Sequence, residues 1–176
     1  LLEQRHDRVV VQKWDLSCGA AALATILNHQ YAAPVPERAI AQAMMRRKEY
    51  LDNPDLVRAR EGFSLLDLKR FVEARGYRGV GLGRLDLAQL ERRAPAIVAV
   101  SHKGYNHFVV FRGRWQDRVL LADPAFGNVT MPVRQFEASW LEMGSIGRVA
   151  FVVALPGSFL LPNYLAPRPE DFVTLR

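Results

Sequence analysis

Apolar residues recur at helical spacing through the first half of the chain and crowd into short β-branched and aromatic runs in the second, so the pattern alone predicts helices followed by sheet. Asp15 and Ser17 stand where caps would open a helix running through Ala20, Ala21, Ala22, Leu23, Ala24, Ile26 and Leu27. Pro34 and Pro36 then punctuate the chain before a second helix, predicted from Glu37 to Lys48. Ser64 opens a third, whose Leu65, Leu68, Phe71 and Val72 make one apolar stripe until Gly76 stops it, and a short helix near Asp86 to Arg92 follows.

From Pro95 onward strands are predicted at Ala96 to Val100, Phe108 to Arg112, Val119 to Ala122, Asn128 to Pro132 and Arg148 to Leu155. Gly104, Gly113, Asp123-Pro124 and Gly127 mark the turns between them. Helices first and a meander of strands afterwards argue for an α+β domain over residues 1–155. Pro156, Pro162, Pro167 and Pro169 predict that residues 156–176 form an extended tail, packed on the surface or reaching a neighbour.

Composition narrows the class. A length of 176 residues with 49% hydrophobic and 24% charged residues fits one globular domain with its own core. The longest apolar runs, Ala20 to Leu27 and Val149 to Leu155, fall far short of the roughly 20 residues of a membrane-spanning helix. A formal charge of +6 suits an acidic partner, but the basic residues are scattered, with tight clusters only at Arg46-Arg47-Lys48 and Arg92-Arg93, and no nucleic-acid-binding motif accompanies them. One cysteine excludes an internal disulfide and a thiolate zinc cage, and no cofactor site is expected. The chain begins at Leu1 without a methionine, so an N-terminal piece is expected to have been removed, in nature or by trimming, with a secretion signal or anchor among the candidates.

The stretch Gln12 to Ala20 places that single thiol, Cys18, at the first turn of the predicted first helix. Unpaired N–H groups and the helix dipole there favour a thiolate, so the sequence predicts a depressed thiol pKa; the competing reading is a buried structural cysteine. A thiolate nucleophile needs an imidazole. Of four histidines, His6 falls in a terminus read as mobile, and His29 lies some 15 Å along the helix from Cys18. His102 reads as part of a solvated loop, which leaves His107, at the entrance of a buried-looking strand, as the favoured base. Asp123 ends the neighbouring apolar strand and could fix the imidazole tautomer, although Asp-Pro is also an ordinary turn starter. The Cys18 N–H and the Gln12 amide are candidate oxyanion donors.

In this order Gln12, Asp15, Cys18-Gly19-Ala20, the Gly62-Phe63-Ser64 to Tyr77 segment, His107-Phe108-Val109-Val110 and Asp123-Pro124 with Gly127 resemble the bacteriocin-processing, double-glycine leader peptidases, over roughly residues 7–155. The resemblance implies a papain-like fold and cleavage of exported polypeptides after a leader, with Cys18 as nucleophile, His107 as general base and acid, Asp123 as its orienter and Gln12 as oxyanion donor. No Walker motif or membrane span follows, so the chain is similar to stand-alone members encoded with functional-amyloid (Fap-type) secretion systems, and a periplasmic location is the expectation.

Two other readings use the same residues: a peptidase-like module that binds a secreted protein without cutting it, and acyl transfer to an amine by the same triad. Trp14, Tyr105 and Phe126 are candidates to wall a substrate groove. Met44-Met45 and Arg46 to Tyr50 read either as a leader-docking face or, more simply, as a core edge and a solvated helix face.

Overall fold

The computed structural model describes residues 2–53, 55, 64–102, 104–157 and 161–175; Gly62 and Phe63 of the resemblance and Lys103 of the predicted loop lie outside them. The first half of the chain gives helices α1 (Leu2–His6), α2 (Cys18–Gln30), α3 (Glu37–Met45), α4 (Lys48–Asp52) and α5 (Leu65–Ala74). The second gives β1 (Arg78–Leu82), α6 (Leu87–Glu91), β2 (Ala96–His102), β3 (Tyr105–Trp115), β4 (Arg118–Asp123), β5 (Gly127–Pro132), α7 (Val133–Ser139), β6 (Ala150–Ala154) and α8 (Asp171–Thr174). The strands form one sheet of six in the order β1-β6-β2-β3-β4-β5, every neighbouring pair antiparallel. The molecule is α+β, as the pattern predicts, and no helix among the described residues is long and apolar enough to cross a membrane.

Each face of the sheet buries its own core. On one side Ile97, Val110, Ala122 and Phe151 meet α2, α3 and α5; on the other, Val98, Val109, Phe111 and Leu121 meet Leu87 and Leu90 of α6, Phe136 of α7 and Trp140. Alternation along β2, β3 and β4 produces this split, because successive side chains of a strand point to opposite faces. Helix α2 is buried on all sides from Ala20 to Leu27, and its alanines let it lie close to the sheet. At Gly19 an added Cβ would stand 3.3 Å from the Phe108 ring of β3, so glycine keeps the start of this helix tight against that strand.

Several expectations are corrected. The predicted Glu37–Lys48 helix breaks at Arg47, which is extended and opens α4. The break lets Arg47 pair with the buried Asp67 while the buried Tyr50 donates its hydroxyl to the same carboxylate at 2.5 Å. Strand β1 escapes a pattern search because two of its five residues are glycine. Gly79 is required there: an added Cβ would lie 3.0 Å from the Lys69 backbone of α5 and from the Phe151 and Val72 side chains. His102, read as loop, is the last residue of β2 and pairs across the hairpin with Tyr105. His6, read as lying in a mobile terminus, closes α1, which Asn128 of β5 holds by donating to the Gln4 carbonyl at 3.0 Å and the Asp7 carbonyl at 2.6 Å.

The segment after β6 is not simply extended. Residues 161–175 run back over the sheet and end in α8, whose Phe172 packs with Leu175 against Leu120. Buried Arg112 of β3 donates to the Leu165 carbonyl at 2.8 Å, and Asn163 returns a bond to the Arg112 carbonyl at 2.7 Å. Gln30, the last residue of α2, donates to the Pro162 carbonyl and accepts from the Tyr164 N–H, at 2.8 and 2.9 Å.

Candidate active site

The approach to α2 is a tight turn fastened on both sides. The Gln12 N–H donates to the Pro124 carbonyl at 2.7 Å, joining this segment to the end of β4. The Ser17 N–H closes back on the Trp14 carbonyl at 3.2 Å. Ser17 occupies the cap position predicted for it but caps nothing with its side chain; its hydroxyl points to the Trp14 carbonyl, at 2.7 Å, and to the carboxylate of Glu37. Asp15, the other cap candidate, is exposed on the turn.

Cys18 follows as the first residue of α2 and is buried. Burial pushes its thiol above the ordinary value, the Asp123 charge adds to the rise, and the main-chain N–H groups of Phe108, Gly19 and Cys18 itself oppose it. The depressed pKa predicted from the helix terminus is therefore corrected: loss of solvent outweighs the N–H groups when the sulfur stands without a cationic partner. The neighbouring Gly19 packs against the Phe108 ring of β3, which places the start of α2 beside the strand that carries His107.

His107 and Asp123 project from adjacent strands onto the same face of the sheet. The imidazole Nε2 lies 3.0 Å from Asp123 Oδ2, with both side chains largely buried. The other Asp123 oxygen accepts from the N–H groups of Ala125 and Phe126, at 2.8 and 3.3 Å, so the two readings of this Asp-Pro pair are realised together. Anchored by its turn, the carboxylate presents a fixed acceptor to the ring. His107 Nδ1 is buried and has no hydrogen-bond partner among the described residues. Tyr105 stacks on the imidazole, centroids 5.5 Å apart and planes 27° apart, and its hydroxyl reaches the Asp15 carbonyl at 3.5 Å.

Gln12 is in the same turn, but its amide nitrogen donates to the Trp14 carbonyl at 2.8 Å and makes a longer approach to the Asp15 carbonyl at 3.4 Å. One N–H is thus well bonded and the second only weakly. Of the remaining histidines, His29 sits in the last turn of α2, at the far end from Cys18. His102 lines the cavity that also contains His107 and Asp123.

That cavity, about 360 Å³, is walled mainly by apolar side chains, including Val100, Leu121, Val129 and Met131. The exposed Phe126 stands at its rim, the exposed Tyr105 covers the imidazole and Trp14 is exposed on the turn before Cys18. Of the three residues proposed as groove walls, Phe126 lines this cavity and Tyr105 stacks on its histidine. Glu37 was legible only as a helix start; a glutamate just after Pro36 carries no sign that its partners lie in a turn more than 20 residues earlier.

A buried thiol at a helix N-terminus, beside a strand carrying a histidine bonded to a carboxylate, defines the papain-like cysteine peptidase class. Solved structures agree on the fold: the peptidase domain of Streptococcus ComA matches with a TM-score of 0.66 at 19% identity, over 85% of this chain and 99% of that one. A double-glycine-motif protease from an AMS/PCAT transporter, solved with its leader peptide, matches with a TM-score of 0.63 at 25% identity, over 84% of this chain and 90% of that one. The Peptidase C39 family model matches residues 6–144, and the chain belongs to this cysteine peptidase family. It is 44% identical over 139 residues to the probable functional amyloid protease FapD of Pseudomonas aeruginosa and 40% identical over 138 residues to that of Pseudomonas fluorescens. Each alignment covers 78% of this chain and 59% of the relative, so the chain matches little more than half the length of these curated proteins.

Proposed function

We propose that the chain is an endopeptidase that cuts exported polypeptides, a leader or a component of a secreted amyloid system, through a Cys18–His107–Asp123 triad. The reading rests above all on the His107 ring: one nitrogen is bonded to Asp123 at 3.0 Å, the other is buried with no hydrogen-bond partner among the described residues, and Cys18 opens the helix that packs against the same strand. Because burial holds the resting sulfur protonated, the proton moves from Sγ to His107 Nδ1 as the thiolate forms, and the Asp123 charge stabilises the resulting imidazolium. Sulfur adds to the scissile carbonyl carbon. The Cys18 N–H and the weakly engaged Gln12 N–H donate to the oxyanion. Collapse breaks the C–N bond as the imidazolium gives its proton to the departing amine, leaving a thioester. Water, deprotonated by His107, then attacks that carbonyl and releases the acid and the thiol.

The apolar cavity beside His107 suits a side chain of the bound polypeptide, and the likeness to FapD proteins and to a leader-bound peptidase supports an exported substrate. A periplasmic site of action belongs to the same proposal. The experiment is co-expression with candidate secreted proteins, followed by mass spectrometry of the periplasmic fraction with the active chain and with Cys18→Ala. Cleaved termini that vanish in Cys18→Ala are the expected result. Identical termini in both samples, with the chain folded and present in that fraction, overturn the reading in favour of a binding module.

A further inference from the structure

Beyond the triad and Gln12, one further buried acidic side chain bonds to the turn that carries the thiol. Glu37, the first residue of α3, is 4% exposed. A buried carboxylate ordinarily requires a cation or a dense set of donors. No ion pair to Glu37 occurs among the described residues. Its donors come instead from the turn before the thiol. The Lys13 N–H lies 3.2 and 3.1 Å from its two oxygens, and the Ser17 hydroxyl points at Oε1.

These bonds grip the turn at both ends. Lys13 directly follows Gln12, and Ser17 directly precedes Cys18. The turn closes on itself through the Ser17 N–H and the Gln12 and Ser17 side chains, all meeting at the Trp14 carbonyl, and the Glu37 carboxylate ties it to α3. A charged acceptor makes stronger bonds than a neutral one, and the N-terminus of α3 favours negative charge at this position.

We infer that Glu37 is a positioning residue that fixes the spacing between the Gln12 amide and the Cys18 N–H, the two groups expected to bind the oxyanion. The inference rests on the peptidase reading and extends it to a residue that touches neither substrate nor sulfur. It separates two tasks within the site. Thiol activation depends on His107 and Asp123, which Glu37 does not contact; stabilisation of the tetrahedral state depends on the turn, which it does. Glu37→Gln keeps the size and one acceptor but turns an amide donor toward the Lys13 N–H or the Ser17 hydroxyl.

The test uses two probes on the folded protein. A Gly-Gly peptide aldehyde adds the Cys18 sulfur to its carbonyl carbon, giving a hemithioacetal whose oxygen occupies the oxyanion position; iodoacetamide alkylates the sulfur without forming an oxyanion. In Glu37→Gln the inhibition constant of the aldehyde rises roughly 10- to 100-fold, while the alkylation rate stays within about twofold of the wild type. Ser17→Ala, which removes one of the two bonds, gives a smaller rise, and the double variant is less than additive. Equal aldehyde affinity in wild type and Glu37→Gln overturns the inference, as does a parallel fall in aldehyde affinity and alkylation rate. Should Glu37→Gln fail to fold, Ser17→Ala decides: an unchanged aldehyde constant overturns the role. If the wild type binds the aldehyde no better than Cys18→Ala does, the peptidase reading itself fails and this inference with it.

Discussion

The two ends of α2 are built from the same materials and serve opposite ends. At Cys18 the helix begins among loops held by side-chain bonds to backbone, with aromatic rings left in solvent around it. At Gln30 it ends under the 161–175 segment, also held by side-chain bonds to backbone. Each region contains a buried nitrogen without a hydrogen-bond partner among the described residues, His107 Nδ1 in one and Arg112 Nη2 in the other. The difference lies in what the lone nitrogen can do. An imidazole nitrogen can accept as well as donate, so an unpartnered ring nitrogen is a candidate proton acceptor. A guanidinium nitrogen has only a donor to offer, so its vacancy is a cost of burial, seen also in the Arg112 pKa, which burial and then the neighbouring Arg8 bring down to about 10.

The contrast breaks most visibly at His107. Replacing it by alanine removes the proton acceptor proposed for a thiol whose pKa burial raises. Turnover falls by about 10³- to 10⁴-fold, and iodoacetamide alkylation at pH 6 slows to the rate of an unactivated buried thiol. Alkylation at the wild-type rate in His107→Ala would show that the two ends do not differ in this way.

The opposite end is expected to fail in stability alone. Arg112→Met leaves the Leu165 carbonyl and the Asn128 side-chain oxygen without their donor, at a cost of about 3 kcal/mol by urea unfolding, with kcat of the folded fraction unchanged. A loss of kcat without loss of stability would mean that the 161–175 segment communicates with the site.

How much of this was readable beforehand follows the same division. Helices α2 and α5 and the meander from β2 to β5 declare themselves by local period, and Cys18, His107, Asp123 and Gln12 are named for the proposed site by residue type and order. Partnerships set by the fold do not. The bond between Glu37 and Lys13, the grip of Arg112 on residues 163–165 and the Tyr105 ring over His107 join positions whose own neighbourhoods look ordinary. The thiol pKa was misjudged for a related reason: a helix terminus is visible in sequence, whereas the desolvation that outweighs it depends on everything packed around the sulfur.

Tyr105 sharpens the catalytic side by a smaller step. Its ring limits the imidazole's orientations by stacking, and its hydroxyl reaches the turn that carries Asp15. Tyr105→Ala lowers kcat by about tenfold, whereas Tyr105→Phe, which keeps the stack, stays within about threefold. A kcat unchanged in Tyr105→Ala would reduce the ring to a wall of the groove.

The smallest effect belongs to Asp7, where the helix α1 end meets the 161–175 segment. Burial raises its pKa, but the bond and charge of Arg8, together with Arg168 and Arg112, outweigh that and hold the carboxyl below the ordinary carboxylate range. Arg168 donates to it from the far segment at 2.6 Å. A carboxyl depressed in the folded state binds its proton more readily once unfolded, so the stability it adds is present above about pH 4 and is lost as pH falls through the depressed value. The pair is largely solvated, and the contribution is under about 1 kcal/mol. Urea midpoints measured from pH 6 down to pH 2 should therefore fall less steeply for Asp7→Asn than for the wild type, while Cys18 alkylation stays the same in both. Parallel midpoint curves would assign the acid sensitivity of the molecule to other carboxylates.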